Sequence, residues 1–336
     1  MKGMEKRSNW SILANDILKG RSVTKEEALK VLRASDSEIL AVLTAAYTLR
    51  YHYYNNVVKL NMIVNAKSGL CPENCGYCAQ SSIADTEVDK YPLWDKESLI
   101  RGAEEAVQRK AGTYCIVASG RGPTNKEIDQ VTEAVKDIKA AMPLTICACL
   151  GILKEGQAER LKKAGVDRYN HNLNTHVDHH DAITTTHTYA DRETTIDSAK
   201  QAEMSPCSGV IAGMGETEEQ LIETFFALKE WDADSVPINL LHPVKGTPLE
   251  NRETVGPLTS LKIIAAARFI LPDKEIRVAG GREVNLRSLQ PLALYAANSI
   301  FIGDYLTTGG QQVMADQQMI EDMGFSVDEP YGTKTT

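Results

Sequence analysis

The pattern of hydrophobic positions changes near Val57. From that residue on, short apolar runs rich in β-forming residues alternate with helical stretches. Eight of these runs are predicted to be strands: KLNMIVNA, TYCIVASG, LTICACLG, VDRYNHNLN, SPCSGVIAG, SVPINLLHP, EIRVAGG and SIFIGDYL. Each of the first seven precedes a candidate helix, and parallel strands need long crossovers of this kind. The pattern therefore predicts an α/β fold with parallel strands.

The helix between the sixth and seventh strands shows an apolar stripe in the sequence. Leu258, Leu261, Ala265 and Phe269 recur at spacings of three, four and four residues, which places them on one helical face. Eight strands separated by helices suit a closed (βα)8 TIM-type barrel. The pattern alone leaves a doubly wound open sheet as the alternative.

Residues 8–54 are predicted to be helical throughout. Ser8 and Asn9 are candidate N-caps of a first helix, because their side chains accept hydrogen bonds from free backbone N–H groups. Thr24 and Glu27 have the spacing of a capping box at the start of a second helix. A third helix is expected just before the first strand.

The chain is expected to divide into three parts. No repeat, low-complexity tract or long linker interrupts the strand region, and 336 residues can bury a large core. We expect a helical N-terminal extension at residues 1–56, the barrel at residues 57–310 and a C-terminal tail at residues 311–336.

Composition and charge narrow the possible partners. The net charge of −8 argues against a general nucleic-acid or membrane surface, because both partners are anionic. No run approaches the ~18 apolar residues that span a bilayer, and no secretory signal is recognised at the N-terminus. We therefore expect a cytoplasmic protein. In that reducing compartment, clustered members of its seven cysteines are expected to bind metal or carry redox chemistry.

Three of the cysteines form a cluster directly after the first predicted strand. Cys71, Cys75 and Cys78 have the spacing C-x3-C-x2-C. Three soft thiolates this close can hold one metal centre, and a structural zinc would want a fourth ligand that the loop lacks. A [4Fe–4S] cluster held by three cysteines leaves one iron open. An open iron in this loop would be a reactive site, because the loops that follow the strands of a barrel carry its active site.

This triplet, with the aromatic Tyr77 before its last cysteine, resembles the signature of the radical S-adenosylmethionine superfamily. The resemblance implies that the open iron binds the amino and carboxylate groups of S-adenosylmethionine. An electron from the cluster then cleaves the sulfonium and yields a 5′-deoxyadenosyl radical.

The other four cysteines, Cys115, Cys147, Cys149 and Cys207, lie on predicted strands. Any one of them alone is more typical of a small buried hydrophobic residue than of a ligand. Together they occupy the second, third and fifth strands, and one cysteine on each can point into the same lumen. Cys147 and Cys149 share a face, so periodicity leaves open which of the two is a ligand.

A second resemblance is carried by NAKSGLCPENCGYCAQS, YCIVASGRGP, YNHNLNT, PCSGVIAGMGET, VPINLLHPVKGTPL, REVNLRSLQPL and AANSIFIGDYL. These motifs are similar to those of the biotin synthase family over residues 57–310. The family inserts sulfur into dethiobiotin by radical chemistry and forms biotin in the last step of biotin biosynthesis.

That resemblance implies a second, inner cluster of the [2Fe–2S] type. Its ligands in the family match Cys115, Cys147, Cys207 and Arg277 here, which leaves Cys149 as a bystander. From the residues alone, Arg277 is a barrel arginine paired with a carboxylate, because a protonated guanidinium has no free lone pair.

The same resemblance assigns polar residues to the two small molecules. Asn172 is expected to contact substrate and cofactor, and Asn174 the cofactor, although some relatives carry Asp at the second position. Asn239 matches a residue that binds the ureido ring of the substrate. Arg192 matches one that pairs with the carboxylate of S-adenosylmethionine, for which a guanidinium fork is suited.

Several points stay open in the sequence. The family implies an external one-electron donor such as a flavodoxin or ferredoxin, iron–sulfur assembly machinery and a homodimer. His179 and His180 fall in a predicted polar loop without an assigned role. The alternatives are a radical enzyme of similar layout with another substrate, or a non-catalytic protein that binds iron–sulfur or zinc.

Overall fold

The computed structural model describes residues 7–328. Its centre is a closed barrel of parallel strands with the order β1-β2-β3-β4-β5-β7-β8-β9, in which β9 returns to β1, β6 pairs with β7 and β10 pairs with β1. The strands are β1 Val57–Lys67, β2 Thr113–Ala118, β3 Thr145–Cys149, β4 Arg168–Asn170, β5 Ser205–Cys207, β6 Val210–Ala212, β7 Ser235–Leu240, β8 Glu275–Val278, β9 Ser299–Ile302 and β10 Ser326–Val327. The (βα)8 prediction is confirmed, since the pairing of β1 with β9 excludes an open sheet.

Helices surround the barrel and precede it. The α-helices are α1 Arg7–Leu18, α2 Lys25–Leu32, α3 Ile39–Tyr54, α4 Lys96–Gln108, α5 Asn125–Ala141, α6 Gln157–Ala164, α7 Val177–Ile183, α8 Tyr189–Gln201, α9 Glu218–Glu230, α10 Pro257–Ile270, α11 Arg282–Leu286 and α12 Val313–Asp322. Short 3₁₀ segments lie at Asp36–Glu38 and Arg287–Tyr295.

The N-terminal helices begin partly as expected. The capping box is confirmed, because the backbone N–H of Glu27 donates to the hydroxyl of Thr24 and the Glu27 carboxylate accepts from the Thr24 backbone. The prediction that Ser8 and Asn9 cap the first helix is wrong. Helix α1 already includes both, since it is described from Arg7, and helix starts read from sequence shift readily by one or two residues.

Helix α10 is more deeply buried than its apolar stripe indicates. Every residue of it from Ser260 to Ile270 is buried. The reason is that α2 and α3 pack on its outer side while the barrel covers its inner side. An ion pair between Lys262 and Asp36, 2.7 Å apart, closes this contact at its edge. The N-terminal helices are therefore part of the shell around the barrel.

The fifth strand position is interrupted. The sequence predicts one strand there, but the structure has β5 and β6 with Ser208 and Gly209 between them. A side chain on Gly209 would place its Cβ 1.9 Å from the carbonyl oxygen of Pro237, so only glycine fits. The interruption frees the Gly209 N–H, which donates to the side-chain oxygen of Asn172 instead.

The C-terminal region folds back onto the barrel. Ser326 in β10 pairs with Val57 at the start of β1, and Asp316 in α12 binds the buried Arg282 at 2.7 Å. The expected division of the chain at residues 56 and 310 stays a prediction. Among residues 7–328, no helix combines the length and the apolar character needed to cross a membrane.

We expect Leu49→Ala to lower the free energy of unfolding by about 2–5 kcal/mol, because it opens a cavity in a packed interface. Leu49 in α3 is 0% exposed, whereas Leu40 in the same helix is 67% exposed. Leu40→Ala is the matched control and should change stability by less than about 0.5 kcal/mol. Urea titrations followed by circular dichroism measure both. Equal losses would contradict the packing of α3 described here.

Candidate active site

Side chains from both predicted cysteine groups line one cavity in the barrel. A cavity of about 330 Å³ occupies the lumen and opens towards the loop that follows β1. The strand residues that line it are Ile63, Cys115, Val117, Ala118, Cys147, Cys149, Asn170, Ile211, Pro237, Asn239, Arg277 and Phe301. Within β2, β3 and β7, the pairs Cys115 and Val117, Cys147 and Cys149, and Pro237 and Asn239 are each two residues apart, as expected when alternate side chains point inward.

Three thiols form a compact group in the lumen wall. Cys115, Cys147 and Cys207 are buried and pack against one another, with Ala279 and Phe301 beside them. Cys115 and Cys147 are directly opposite each other in the pairing of β2 with β3. Hydrogen bonding to the neighbouring thiol, together with burial, raises the pKa of Cys147 and of Cys207. The strands thus bring three soft ligands to one place.

Cys149 lies near this group but outside it. It points into the same cavity as Cys147, as their shared strand face predicts. It is less buried than Cys147 and is not packed with the other three thiols. Burial still raises the pKa of the Cys149 thiol to about 12. Packing therefore favours Cys147 over Cys149 as a member of the inner group.

Arg277 contacts both a carboxylate and the inner thiol group. Its Nη2 donates to Glu275 at 2.5 Å and to the hydroxyl of Ser235 at 2.9 Å, which is the expected carboxylate pairing. Its Nη1 lies 4.0 Å from the sulfur of Cys207, and the guanidinium lies over the ring of Phe301. Pairing with a carboxylate thus leaves one guanidinium nitrogen facing the thiol group.

Glu275 forms ion pairs with three basic side chains at this end of the lumen. Its buried carboxylate contacts Arg277, Arg168 at 2.8 Å and Lys59 at 3.6 Å. Burial by itself would raise the pKa of Glu275, but the charges of Arg277 and Arg168 hold it well below the usual range. The carboxylate is therefore ionised at neutral pH.

The cysteine triplet lies at the mouth of the same cavity. Cys71, Cys75 and Cys78 all line it, and burial raises the pKa of Cys78 to about 12. Within the described part of the chain, no three His, Cys, Asp or Glu side chains are arranged to hold a single metal ion. This does not exclude a [4Fe–4S] cluster, because each of its cysteines binds a different iron.

A segment before α8 clamps the triplet loop. The side-chain oxygen of Asn74 accepts from the hydroxyl of Thr184 and from the backbone of Thr185, both at 2.9 Å. The backbone N–H of Gly76 donates to the carbonyl of Ile183 at 2.9 Å. These bonds hold the loop against the top of the barrel without using the cysteines.

Tyr77 joins the triplet loop to the end of β4. Its hydroxyl accepts a hydrogen bond from the side-chain amide of Asn174 at 2.8 Å, and burial raises its pKa. Asn174 has a φ of 68°, a left-handed conformation that asparagine tolerates better than most residues. Both residues line the cavity.

Arg192 reaches the same region from α8. Its Nη1 donates to the carbonyl of Asn172 at 2.9 Å, and its Nη2 donates to Nε2 of His187 at 2.6 Å. Its Nε is buried and has no hydrogen-bond partner among the described residues. A buried, unpartnered guanidinium N–H beside a cavity is suited to an anionic group such as a carboxylate.

Asn239 lines the cavity from β7. Its amide nitrogen donates to the carbonyl of Val210 at 3.1 Å, and its oxygen accepts from the Gly280 N–H at 3.0 Å. An amide has a second N–H and a second lone pair. The side chain is thus held in place and can still bind a ligand.

Two residues at the site were not found by sequence reasoning. The carboxylate of Glu73, inside the triplet loop, forms hydrogen bonds with Nδ1 of His187 and with the hydroxyl of Thr186. A single Glu and a single His that lie 114 positions apart show no spacing signal. Their proximity is visible only in the folded chain.

The loop predicted for His179 and His180 is wrong. Helix α7 includes both, and His176 caps it by accepting from the Asp178 backbone. Arg282, from the motif REVNLRSLQPL, is a buried residue bound to the carboxylate of Asp316 in α12.

Comparison with known proteins defines the class. A model described as the Radical SAM superfamily matches residues 66–228, and one described as the Biotin and Thiamin Synthesis associated domain matches residues 237–326. Methylornithine synthase superposes with a TM-score of 0.83 at 20% identity over 95% of this chain and 98% of that one. A hydrogenase maturase from Carboxydothermus hydrogenoformans gives 0.80 at 16% identity over 97% and 80%. The barrel and its cysteine loop are therefore those of a radical S-adenosylmethionine enzyme.

Curated relatives define the family. Biotin synthase of Bacillus pumilus is 59% identical over 96% of this chain and 97% of its own length. Biotin synthase of Halalkalibacterium halodurans is 57% identical over 95% and 96%. The chain belongs to the biotin synthase family. The superfamily implies a [4Fe–4S] cluster and S-adenosylmethionine, and the three cysteines at the mouth and the free N–H of Arg192 fit these groups.

Glu275→Gln should lower the free energy of unfolding by about 3–5 kcal/mol at neutral pH, because it leaves buried cations without their counter-ion. The folded-state pKa of Glu275 lies below its unfolded value, so its stabilisation is present above pH ~4.3 and is lost as the pH falls below it. The variant should accordingly show a flatter acid limb in a plot of stability against pH.

Glu219→Gln is the control for this change, because Glu219 forms an exposed ion pair with Arg33. Urea titrations between pH 3 and pH 8 should show little difference between this control and the unmodified protein. Identical pH dependence in both variants would contradict the role given to Glu275.

Proposed function

We propose that this chain is a radical sulfur-inserting enzyme that converts dethiobiotin to biotin, the last step of biotin biosynthesis. The observation that carries the proposal is the presence of two separate cysteine groups on one cavity. Cys71, Cys75 and Cys78 line its mouth, and a second group of three buried thiols lies deeper in the lumen. Membership of the biotin synthase family supports the substrate.

The two cysteine groups hold different clusters in this proposal. Cys71, Cys75 and Cys78 hold the [4Fe–4S] cluster, and the ligands of a [2Fe–2S] cluster are Cys115, Cys147, Cys207 and Arg277. When bound, the first cluster and S-adenosylmethionine supply radical chemistry able to break unactivated C–H bonds, and the second cluster supplies sulfide as a substrate. The contact between Arg277 Nη1 and Cys207 supports the inner ligand set.

Residues between the two groups bind the small molecules. Arg192 pairs with the carboxylate of S-adenosylmethionine through its free Nε–H, and Asn174 binds the same molecule beside Tyr77. Asn172 contacts both cofactor and substrate. Asn239, fixed by two backbone hydrogen bonds, binds the ureido ring through its remaining N–H and lone pair.

The barrel wall excludes water from the reacting groups. Ile63, Val117 and Phe301 pack against the inner thiols and line the cavity. An apolar wall limits quenching of reactive species by solvent, and rigid strands fix the distance between the two cysteine groups. Both effects favour selective attack on particular C–H bonds of a held substrate, and ring closure with one sulfur requires two such bonds to be broken.

Partners follow from the same proposal. The reaction requires an external one-electron donor, such as a flavodoxin or ferredoxin, and iron–sulfur assembly machinery to rebuild the inner cluster. A homodimer and a cytoplasmic location stay predictions from the sequence.

The proposal is tested by tracing the sulfur. The inner cluster is rebuilt anaerobically with ³⁴S-sulfide, and the enzyme receives dethiobiotin, S-adenosylmethionine and a chemical reductant. We expect ³⁴S-labelled biotin, with turnover limited to about one per inner cluster until that cluster is rebuilt. Production of 5′-deoxyadenosine without biotin would refute the substrate, and production of neither would refute the enzyme class.

Replacing Cys71, Cys75 or Cys78 by Ala should abolish cleavage of S-adenosylmethionine, because two thiolates hold the outer cluster too weakly. Anaerobic assays of 5′-deoxyadenosine measure this for each variant. Normal 5′-deoxyadenosine production by any of the three would contradict the assignment.

Cys147→Ala should lose the inner cluster, whereas Cys149→Ala should keep it. The physical reason is that Cys147 packs with Cys115 and Cys207, and Cys149 does not. Iron and sulfide content, with the visible spectrum of the anaerobic protein, distinguishes the two variants. The reverse result would show that the register of ligands on β3 is wrong.

A further inference from the structure

We propose that Glu73 and His187 are positioning residues for S-adenosylmethionine: they orient Arg192 and tie it to the loop that holds the outer cluster. This inference rests on the proposed function, because it concerns the same cofactor. It adds two residues that act through Arg192 and do not themselves bind the cofactor.

The three side chains form a continuous hydrogen-bonded chain. Nη2 of Arg192 lies 2.6 Å from Nε2 of His187, and Nδ1 of His187 is bound to the carboxylate of Glu73. A guanidinium can only donate, so Nε2 of His187 must be the acceptor. The ring proton therefore lies on Nδ1 and points to Glu73. This arrangement requires a neutral imidazole in one tautomer.

The surroundings of His187 agree with that assignment. Burial, followed by the charge of Arg192, lowers its pKa below the usual value despite the neighbouring Glu73. All three side chains are buried, and the ring of His180 packs edge-on against that of His187 at 5.4 Å. The imidazole is thus fixed by contacts on its edge as well as by its two nitrogens.

This chain determines which way the free N–H of Arg192 points. One terminal nitrogen is held by His187 and the other by the carbonyl of Asn172. With both ends of the planar guanidinium bound, Nε has one available orientation, and it has no partner among the described residues. A preorganised donor binds a carboxylate with little further loss of conformational freedom.

The chain also links the cofactor contact to the cluster loop. Glu73 lies between Cys71 and Cys75 in sequence, so its position is fixed by the same loop. Its carboxylate receives a further hydrogen bond from Thr186 at 2.7 Å, one residue before His187. A shift of the loop would therefore move Arg192. In this proposal both the loop of the outer cluster and Arg192 contact S-adenosylmethionine, and the carboxylate of Glu73 links the two.

The experiment compares His187→Phe with His187→Gln in protein carrying the reconstituted outer cluster. Phe keeps the ring but removes both nitrogens, whereas Gln restores a donor and an acceptor. Equilibrium binding of radiolabelled S-adenosylmethionine without reductant gives a dissociation constant that does not depend on turnover. We expect about tenfold weaker binding for Phe and a smaller loss for Gln, since one charge-assisted hydrogen bond contributes on this scale.

Ser198→Ala is the matched control, because Ser198 lies in the same helix as Arg192 but its hydroxyl donates to the Thr194 carbonyl within that helix and not to the chain. It should leave binding unchanged. Iron content confirms that each variant carries the outer cluster. If His187→Phe fails to load, Glu73→Gln serves in its place and should also weaken binding.

A double-mutant cycle separates positioning from a general structural role. In an Arg192→Ala background, His187→Phe should cause no further loss, because its effect passes through Arg192. Additive losses, or unchanged binding in both His187→Phe and Glu73→Gln, would overturn the inference. Absence of binding by the unmodified protein would instead refute the proposed function on which it rests.

Discussion

In a closed parallel barrel, every second side chain of each strand points into the lumen, and this period of two decides which residues of the chain can meet. Cys115 and Cys147 are direct partners in the pairing of β2 with β3. Cys207 pairs with Asn170 and lies two residues beyond the register of Cys147, an even offset that keeps its side chain on the same face. The closure of β1 on β9 brings the remaining strands to the same space. Shifting one strand by a single residue would turn its lumen side chain towards the helices. The inner thiol group therefore depends on strand register before it depends on any metal.

The mouth of the barrel is built by a different principle, because its residues lie on loops that no ladder holds in register. There, hydrogen bonds of side chains fix the loops in place, as backbone hydrogen bonds do between strands. Asn74 fixes the triplet loop to the segment before α8, and Tyr77 fixes it to Asn174 at the end of β4. Glu73 adds the contact with His187. Each of these side chains comes from within or next to the cysteine loop. The loop thus carries, besides three thiols, the groups that hold it in place.

Sequence reasoning succeeded where local pattern determines the outcome and failed where distant contacts do. The eight strand positions were predictable because β-rich runs alternate with helices. The break at Gly209 was not, since it arises from the approach of Pro237 on another strand. The face shared by Cys147 and Cys149 followed from alternation, but their difference in packing did not. No sequence pattern indicated His187, whose partner Glu73 lies 114 positions away.

The charges in the lumen explain how Arg277 can pair with a carboxylate and still face the inner thiols. Glu275 faces three basic side chains, those of Arg277, Arg168 and Lys59, so one carboxylate cannot neutralise them all. The excess positive charge acts on the buried Cys207, where the charge of Arg277 opposes the rise in pKa that the neighbouring thiol and burial cause. Thiolates are the form of cysteine that binds metal. The ion pair with Glu275 therefore does not draw Arg277 away from the thiols: it fixes the guanidinium beside Cys207, where its charge opposes part of the rise in the pKa of that thiol.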